Sequence, residues 1–488
     1  MRHSRPFFSF VVVVLLLVVV VVVVVASSSH GDLARSLRLE LSAAPIAAAA
    51  SRIDRLRAIA RSDQLRQGVI AAAMARRRRA CEAPAAAPAA AEGPESAFAM
   101  PLSSGAYTGT GQYFVRFRVG TPAQRFVLVA DTGSDLTWVK CRLRRRRRRR
   151  HHLSHGGDGA GAGARVFRPE KSSSWDPIRC SSEMCKTSLP FSLATCPTPT
   201  TPCAYDYGYS DGSSAKGVFA SESATITLAG GERAKLRGLI VGCTTSSAGS
   251  SFRASDGVLG LGYSNVSFAA RAAARFGGRF SYCLVDHLSP RNASSFLTFG
   301  PNPALSDDSP SRSQSPPPRQ TPLLLEPRLQ PFYGVSVSSV SVDGESLRIP
   351  DSAWDVARGG GTILDSGTSL TVLADPAYKA VAAALSRRLQ NLPRVSVDPF
   401  EYCYNWTASA GSSALLLPKL VVHFAGGARL EPPAKSYVID VADGVKCVGI
   451  TSAPWPGPST IGNILQQEHL WEFDLKNRRL RFKRSKCA

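Results

Sequence analysis

The sequence predicts an all-β fold of two β-rich lobes with a cleft between them, and three observations carry that prediction. The chain has 488 residues, one six-residue pattern occurs in each half, and short strand-like runs punctuated by turn residues fill both halves. Such a length exceeds what one hydrophobic core usually organises, so two folded lobes with extensions are expected. Apolar residues make up 44%, enough for such cores, while 40 Gly and 33 Pro with aromatics at 8% suit many short strands and turns.

Residues 1–29 read as an export signal: Arg2 and Arg5, a nearly unbroken Val/Leu run from Val11 to Ala26, then Ser27 to Ser29. Cleavage is expected near residues 26 to 30. An uncleaved anchor, lengthened by Phe7, Phe8 and Phe10, is the alternative, and only then would the protein be tied to a membrane. Residues 30–100 read as a removable pro-segment with a disordered tether. Ile53, Leu56, Ile59 and Leu65 recur at helical spacing and predict an amphipathic helix over 50–74. Arg76 to Arg79 then lead into an Ala/Pro/Glu tract whose composition forms no core.

From Gln112 the pattern changes to period-two runs. Tyr113, Val115, Phe117 and Val119 alternate until Gly120, Thr121 and Pro122, and Phe126 to Ala130 make the next strand. A first lobe over 101–300 is expected, then a Pro/Ser/Asp/Arg linker or surface loop over 301–320, then a second lobe over 321–488. Strands are expected in that second lobe at Tyr333 to Val342, Gly361 to Leu364, Lys419 to Phe424 and Leu475 to Phe482, with a helix over Pro376 to Leu389.

Cysteines stand at 81, 141, 180, 185, 196, 203, 243, 283, 403, 447 and 487. Losing Cys81 with the extension leaves an even set, Cys141, Cys180, Cys185, Cys196, Cys203, Cys243, Cys283, Cys403, Cys447 and Cys487, suited to disulfides in an oxidising compartment. Cys180 to Cys203 crowd into one segment without an intervening His, so metal is not expected there. Asn265, Asn292 and Asn405 head glycosylation sequons that gain meaning once export is accepted. The formal net charge of +23 invites a nucleic-acid reading, yet much of it sits in Arg144 to Arg150, with no zinc-finger spacing and no aromatic platform nearby. A solvated basic insertion is the simpler account, and no specific nucleic-acid partner is expected.

The repeated pattern is Val129-Ala130-Asp131-Thr132-Gly133-Ser134 and Ile363-Leu364-Asp365-Ser366-Gly367-Thr368. Each is an apolar strand ending in Asp, a hydroxyl residue, Gly, and a second hydroxyl. Amide hydrolysis by water needs a base for its proton and an acid for the carbonyl oxygen. Two carboxylates about 3 Å apart can be both if they share one proton, because they cannot both ionise. Gly133 and Gly367 permit close approach and donate backbone N–H groups. Thr132 and Ser366 can bond across to the opposite loop, and Ser134 and Thr368 can fix the outer carboxylate oxygens. Chemistry of this kind uses no metal, no cofactor and no nucleophilic Ser or Cys.

These motifs resemble the pepsin-like aspartic proteases, and within them the plant nepenthesin-type branch, over about residues 108 to 487. The resemblance implies a bilobal pepsin-like fold with Asp131 and Asp365 as catalytic aspartates, Trp138 as the tryptophan that bonds the flap, and Tyr209 as the flap tyrosine. Tyr209 heads Tyr209-Ser210-Asp211-Gly212-Ser213, with Ser210 where the branch usually has Gly. It also implies a monomer binding an extended protein or peptide substrate, a disulfide-rich insertion over Cys180 to Cys203, and a Cys403–Cys447 bridge, the other pairings staying open. The branch usually supplies another Cys soon after Cys141, whereas the Arg run follows here, which leaves Cys141 without a nearby partner. Members of the branch are secreted, vacuolar or chloroplast-associated, and the export signal points to the first two. The expected function is an acid endopeptidase; the alternative is a catalytically inactive binding or inhibitor protein on the same scaffold.

Overall fold

The strand that carries the first Asp shows how this sequence builds its architecture. Gln124–Asp131 is partly exposed at its start and buried on both faces at its end, where Leu128 to Asp131 are all buried. A strand buried on both faces needs pairing on both sides, and Phe114 to Val119 and Gly257–Gly260 supply it. The computed structural model describes residues 51–80, 98–104, 111–143, 165–189, 196–209, 213–228, 231–249, 252–287, 289, 295–305, 317–407 and 417–487. The export signal, Cys81, Arg144 to Arg150, Ser210 to Gly212, Asn292 and residues 306–316 lie outside them.

Two lobes repeat one threading. In the first, Gln124–Asp131 runs parallel to Gly257–Gly260 with Asp131 opposite Gly260, and Thr137–Lys140 runs antiparallel to Gly257–Gly260 and parallel to Arg233–Ala248. In the second, Thr362–Asp365 runs parallel to Ser459–Gly462 with Asp365 opposite Gly462. There Thr371–Ala374 meets Ser459–Gly462 antiparallel and Ile450–Ala453 parallel. Each Asp therefore ends a strand held in the middle of its lobe, which fixes its backbone before any side chain is considered.

A platform of antiparallel strands joins the lobes beneath the two Asp loops. Phe98–Ser104, Ser295–Phe299, Arg279–Cys283, His469–Asp474, Arg479–Arg484 and Arg319–Leu324 lie side by side in that order. Phe280 and Phe473 stack across it with centroids 4.8 Å apart, and Trp471 is fully buried there. Leu475 to Phe482 is not the single strand that its apolar residues suggest. His469–Asp474 and Arg479–Arg484 form a hairpin, with Asp474 accepting the Asn477 N–H at 3.0 Å and Arg478 at φ 50° in the turn. A short polar turn between two strands reads as one strand when only the flanking Leu and Phe are weighed. The helix expected over Pro376 to Leu389 spans Asp375–Arg388.

Among the described residues five disulfides close the structure: Cys141–Cys243, Cys180–Cys196, Cys185–Cys203, Cys283–Cys487 and Cys403–Cys447. Cys141, with no cysteine near it in sequence, reaches 102 residues along the chain because Thr137–Lys140 pairs with Arg233–Ala248. The sulfurs of Cys180, Cys185 and Cys196 lie close together, but each is in a disulfide. So many bridges belong in an oxidising compartment. Among the described residues no helix is long and apolar enough to cross a membrane.

Candidate active site

The threading brings the two repeated motifs face to face at the floor of the interlobe cleft. Asp131 and Asp365 are 2% and 0% exposed, and matching bonds hold them. Asp131 Oδ1 accepts the Gly133 N–H at 2.9 Å and Oδ2 the Ser134 hydroxyl at 2.5 Å. Asp365 Oδ1 accepts the Gly367 N–H at 2.9 Å and Oδ2 the Thr368 hydroxyl at 2.6 Å. The loops are cross-bonded through their second residues. Thr132 N donates to Ser366 Oγ at 3.0 Å, Ser366 N donates to Thr132 Oγ1 at 2.8 Å, and Ser366 Oγ donates on to Ala130 O.

Close approach is what makes Gly necessary here. A Cβ on Gly367 would overlap Asp131 Oδ1, and one on Gly133 would lie 2.8 Å from Asp365 Oδ1. Gly367→Ala is therefore expected to push the loops apart at a cost of about 1–3 kcal/mol, the usual price of overpacking. A calorimetric Tm within error of the parent's would contradict that.

Over this floor lies the helix Arg52–Ala80, and its Arg66 reaches both carboxylates. Arg66 Nη2 donates to Asp131 Oδ1 at 2.7 Å and to Asp365 Oδ1 at 3.0 Å, while Nε donates to Asp365 Oδ2 at 2.6 Å. Burial by itself pushes the Asp131 carboxyl up, but Arg66, the Ser134 hydroxyl and the Gly133 N–H outweigh it and hold Asp131 below the ordinary carboxylate range. Burial and then the Asp131 charge raise Asp365 despite Arg66. The two titrate as one coupled unit. Burial would lower Arg66, but the two carboxylates push it well above its ordinary value, so it stays charged.

Neighbours on the same helical face tighten the fit. Asp63 accepts the backbone N–H groups of Ser369 and Leu370 at 3.0 and 2.7 Å, and burial pushes its carboxyl up to about 7 against those bonds. Gln67 donates to Pro458 O and accepts the Thr460 hydroxyl at 2.7 Å. Ile59 and Ala60 pack against Leu370, Phe400 and Ile464; Ile70 and Met74 pack against Leu329, Phe332 and Ile363. A small residual space remains beside Arg66, lined by Asp131, Tyr209, Phe252 and Gly367 among others.

This face keeps Ile53, Leu56 and Ile59 of the apolar spacing on the inner side but not Leu65. Leu65, expected inside, is 55% exposed, whereas Asp63, Arg66 and Gln67 are 2%, 9% and 2% exposed. Their polar character hid them, because in a lone helix such residues mark the solvent side. Their spacing of i, i+3 and i+4 was the available signal, but it gains meaning only with two carboxylates opposite.

The other expected residues fall as follows. Trp138, fully buried, donates its indole N–H to the Tyr209 hydroxyl at 2.5 Å, and Phe252 packs edge-on against both rings. Asn265 is exposed, while Ser267 of its sequon is buried as the cap of the helix Phe268–Arg275. Asn405 Oδ1 accepts the Thr407 N–H and hydroxyl at 3.0 and 2.6 Å.

Two family profiles match the chain: one described as xylanase inhibitor N-terminal over residues 113–301, the other as xylanase inhibitor C-terminal over 332–484. Aspartyl protease family protein 2 of Arabidopsis thaliana is 34% identical over 399 residues, covering 80% of this chain and 74% of its own. Aspartic proteinase nepenthesin-2 of Nepenthes gracilis is 30% identical over 386 residues, covering 78% and 79%. Among solved structures, that of edgp superposes with a TM-score of 0.62 at 20% identity, covering 81% of this chain and 97% of that one. Soybean basic 7S globulin gives 0.59 at 20%, covering 80% and 98%. At such identity these two establish the bilobal β fold and nothing finer.

Proposed function

Since the chain belongs to the pepsin-like aspartic-protease superfamily, including nepenthesin-type relatives at moderate identity, we propose that it is an aspartic endopeptidase of the secretory route, made as a zymogen. One observation carries this reading: two buried carboxylates, each held by a backbone N–H and a hydroxyl, converge on a single guanidinium from the chain's own N-terminal helix. With the helix gone, the same convergence suits a water held between Asp131 and Asp365. One carboxylate takes the water's proton while the other gives its proton to the scissile carbonyl, and the resulting tetrahedral carbon collapses as the nitrogen is protonated. Tyr209, fixed by Trp138 beside the residual space, would close over an extended peptide.

The test is digestion of an unfolded protein at acid pH by protein cleaved between the helix and Phe98. Fragments are expected from the cleaved form, and none from the same form saturated with a peptide whose scissile amide is replaced by a hydroxyl-bearing tetrahedral carbon. The family descriptions favour a second reading, a catalytically inactive binding or inhibitor protein. No fragments at any pH, with saturable binding of a folded hydrolase, would establish that reading instead.

Helix docking should respond to pH in two opposing ways. Docked, Arg66 favours ionisation of both carboxylates; free, the pair keeps a proton, so acidification favours release. Asp63 acts the other way. Its docked value, about 7, lies above its ordinary 3.8, so its contribution is fully present below 3.8 and lost as pH rises through about 7. Asp63→Asn is therefore expected to make release steeper as pH falls, read as fluorescence of a dye placed on the helix. Equal steepness would remove Asp63 from the account.

A further inference from the structure

Cys203 stands immediately before Ala204–Gly208, the strand that leads into Tyr209. That strand pairs with Ser214–Thr227, and at its base the bridge from Cys203 to Cys185 ties it to the helical turn Met184–Ser188. Backbone bonds seat Cys203 as well. Its N–H donates to Ile178 O at 2.7 Å, and its carbonyl accepts the Phe219 N–H at 2.8 Å. The bridge is thus the covalent anchor of the flap strand.

A second bridge lies against this one. The sulfurs of Cys180, Cys185 and Cys196 are all within 4.8 Å of one another, although Cys180 is bonded to Cys196 and Cys185 to Cys203. Burial then sets an order of access. Cys180, Cys185 and Cys203 are 6%, 3% and 0% exposed, whereas Cys196 is open to solvent. A disulfide exchanges by attack of a thiolate on a sulfur it can reach. A thiol from solvent reaches Cys196 first, and the Cys180 sulfur set free there has the Cys185 sulfur, still bonded to Cys203, as its neighbour.

We propose that Cys196 is a redox modification site, through which an external dithiol rearranges the two bridges, frees Cys203 and so releases the anchor of the flap strand. In the first step a thiolate of the dithiol attacks Cys196 Sγ. The Cys180–Cys196 bond breaks, its electron pair leaves on Cys180, and a mixed disulfide joins Cys196 to the reagent. The Cys180 thiolate then attacks Cys185 Sγ, forming Cys180–Cys185 and expelling Cys203 as a thiolate that takes a proton from water. The reagent's second thiol resolves the mixed disulfide, leaving Cys196 as a thiol and the reagent as an internal disulfide. The dithiol loses two electrons and two protons, and the protein exchanges two bridges for one bridge and two thiols. The consequence for peptide cleavage rests on the protease reading; the rearrangement itself does not.

The test treats the full chain with one equivalent of dithiothreitol, quenches with acid, alkylates the thiols and maps the bridges by mass spectrometry. Thiols are expected at Cys196 and Cys203, with a new Cys180–Cys185 bridge and the other three bridges intact. The control is the double variant Cys180→Ser with Cys196→Ser, which has no outer bridge. A thiolate held beside its target acts at about a millimolar or more, against about 10 μM of free reagent, so Cys203 should appear ~100-fold more slowly in that variant. Amide deuterium uptake over Ala204–Gly208 should rise in step with Cys203 release, and unchanged uptake would overturn the link to the flap. Thiols confined to Cys180 and Cys196, or parental speed of Cys203 release in the double variant, would overturn the exchange. If the double variant does not fold, the parental map decides alone. A parent that cleaves no peptide removes the protease reading and leaves the map unaffected.

Discussion

Helix-free Asp365→Asn protein is expected to fold, bind an extended peptide, and lose turnover by about three to six orders of magnitude. Asn keeps an oxygen to accept the Gly367 N–H or the Thr368 hydroxyl and nearly preserves volume, so the loop has little reason to move. What disappears is one of two proton carriers. The shared proton can then neither polarise the carbonyl while the partner takes the water's proton nor return to the leaving nitrogen. Asp131→Asn should do the same, and the double variant should be scarcely worse than either, because both residues form one acid–base unit. Parent kcat/KM should be bell-shaped on the acid side, limited at low pH by double protonation and at high pH by double ionisation. Measurement is by fragment-resolved turnover, with circular dichroism and peptide binding as controls. Full turnover in a verified Asp365→Asn sample would refute the dyad.

The second large effect concerns latency. In the intact chain Arg66→Ala is expected to expose the cleft at neutral pH, because the guanidinium is the only positive charge within hydrogen-bonding distance of the two carboxylates among the described residues. Removing one partner of a buried charge cluster typically costs about 3–5 kcal/mol, which corresponds to a ~100- to 1,000-fold or larger change in the docked-to-free ratio. Asp63, Gln67 and the apolar contacts of Ile59 and Ile70 still hold the helix, so the variant should show fast exchange rather than permanent release. Protease accessibility of the helix and binding of a tetrahedral-carbon peptide would read it, each compared with Leu65→Ala on the exposed face. Arg66→Ala indistinguishable from Leu65→Ala would mean that packing, not the ion cluster, closes the cleft.

How much of the site was legible depends on what each residue's meaning requires. Asp131 and Asp365 stand out because each ends an apolar strand and carries its own Gly and hydroxyl partners within three residues. That information is local, and two copies exclude an ordinary turn. The bonds between Thr132 and Ser366 were legible as a capacity but not as a geometry, since they span 234 residues.

By itself the sequence determined the bilobal β class, the positions of the two carboxylates and the hydroxyls and glycines that orient them. Period-two patterning, turn residues and the repeated motif are short-range features that a chain displays before it folds. Only the tertiary structure decided that Cys141 pairs with Cys243 and Cys283 with Cys487, and that the helix turns Asp63, Arg66 and Gln67 inward and Leu65 outward. The physical reason is the same in each case. A helix face is polar or apolar only relative to what it meets, and a buried cation is stable only where two distant strands have placed their carboxylates.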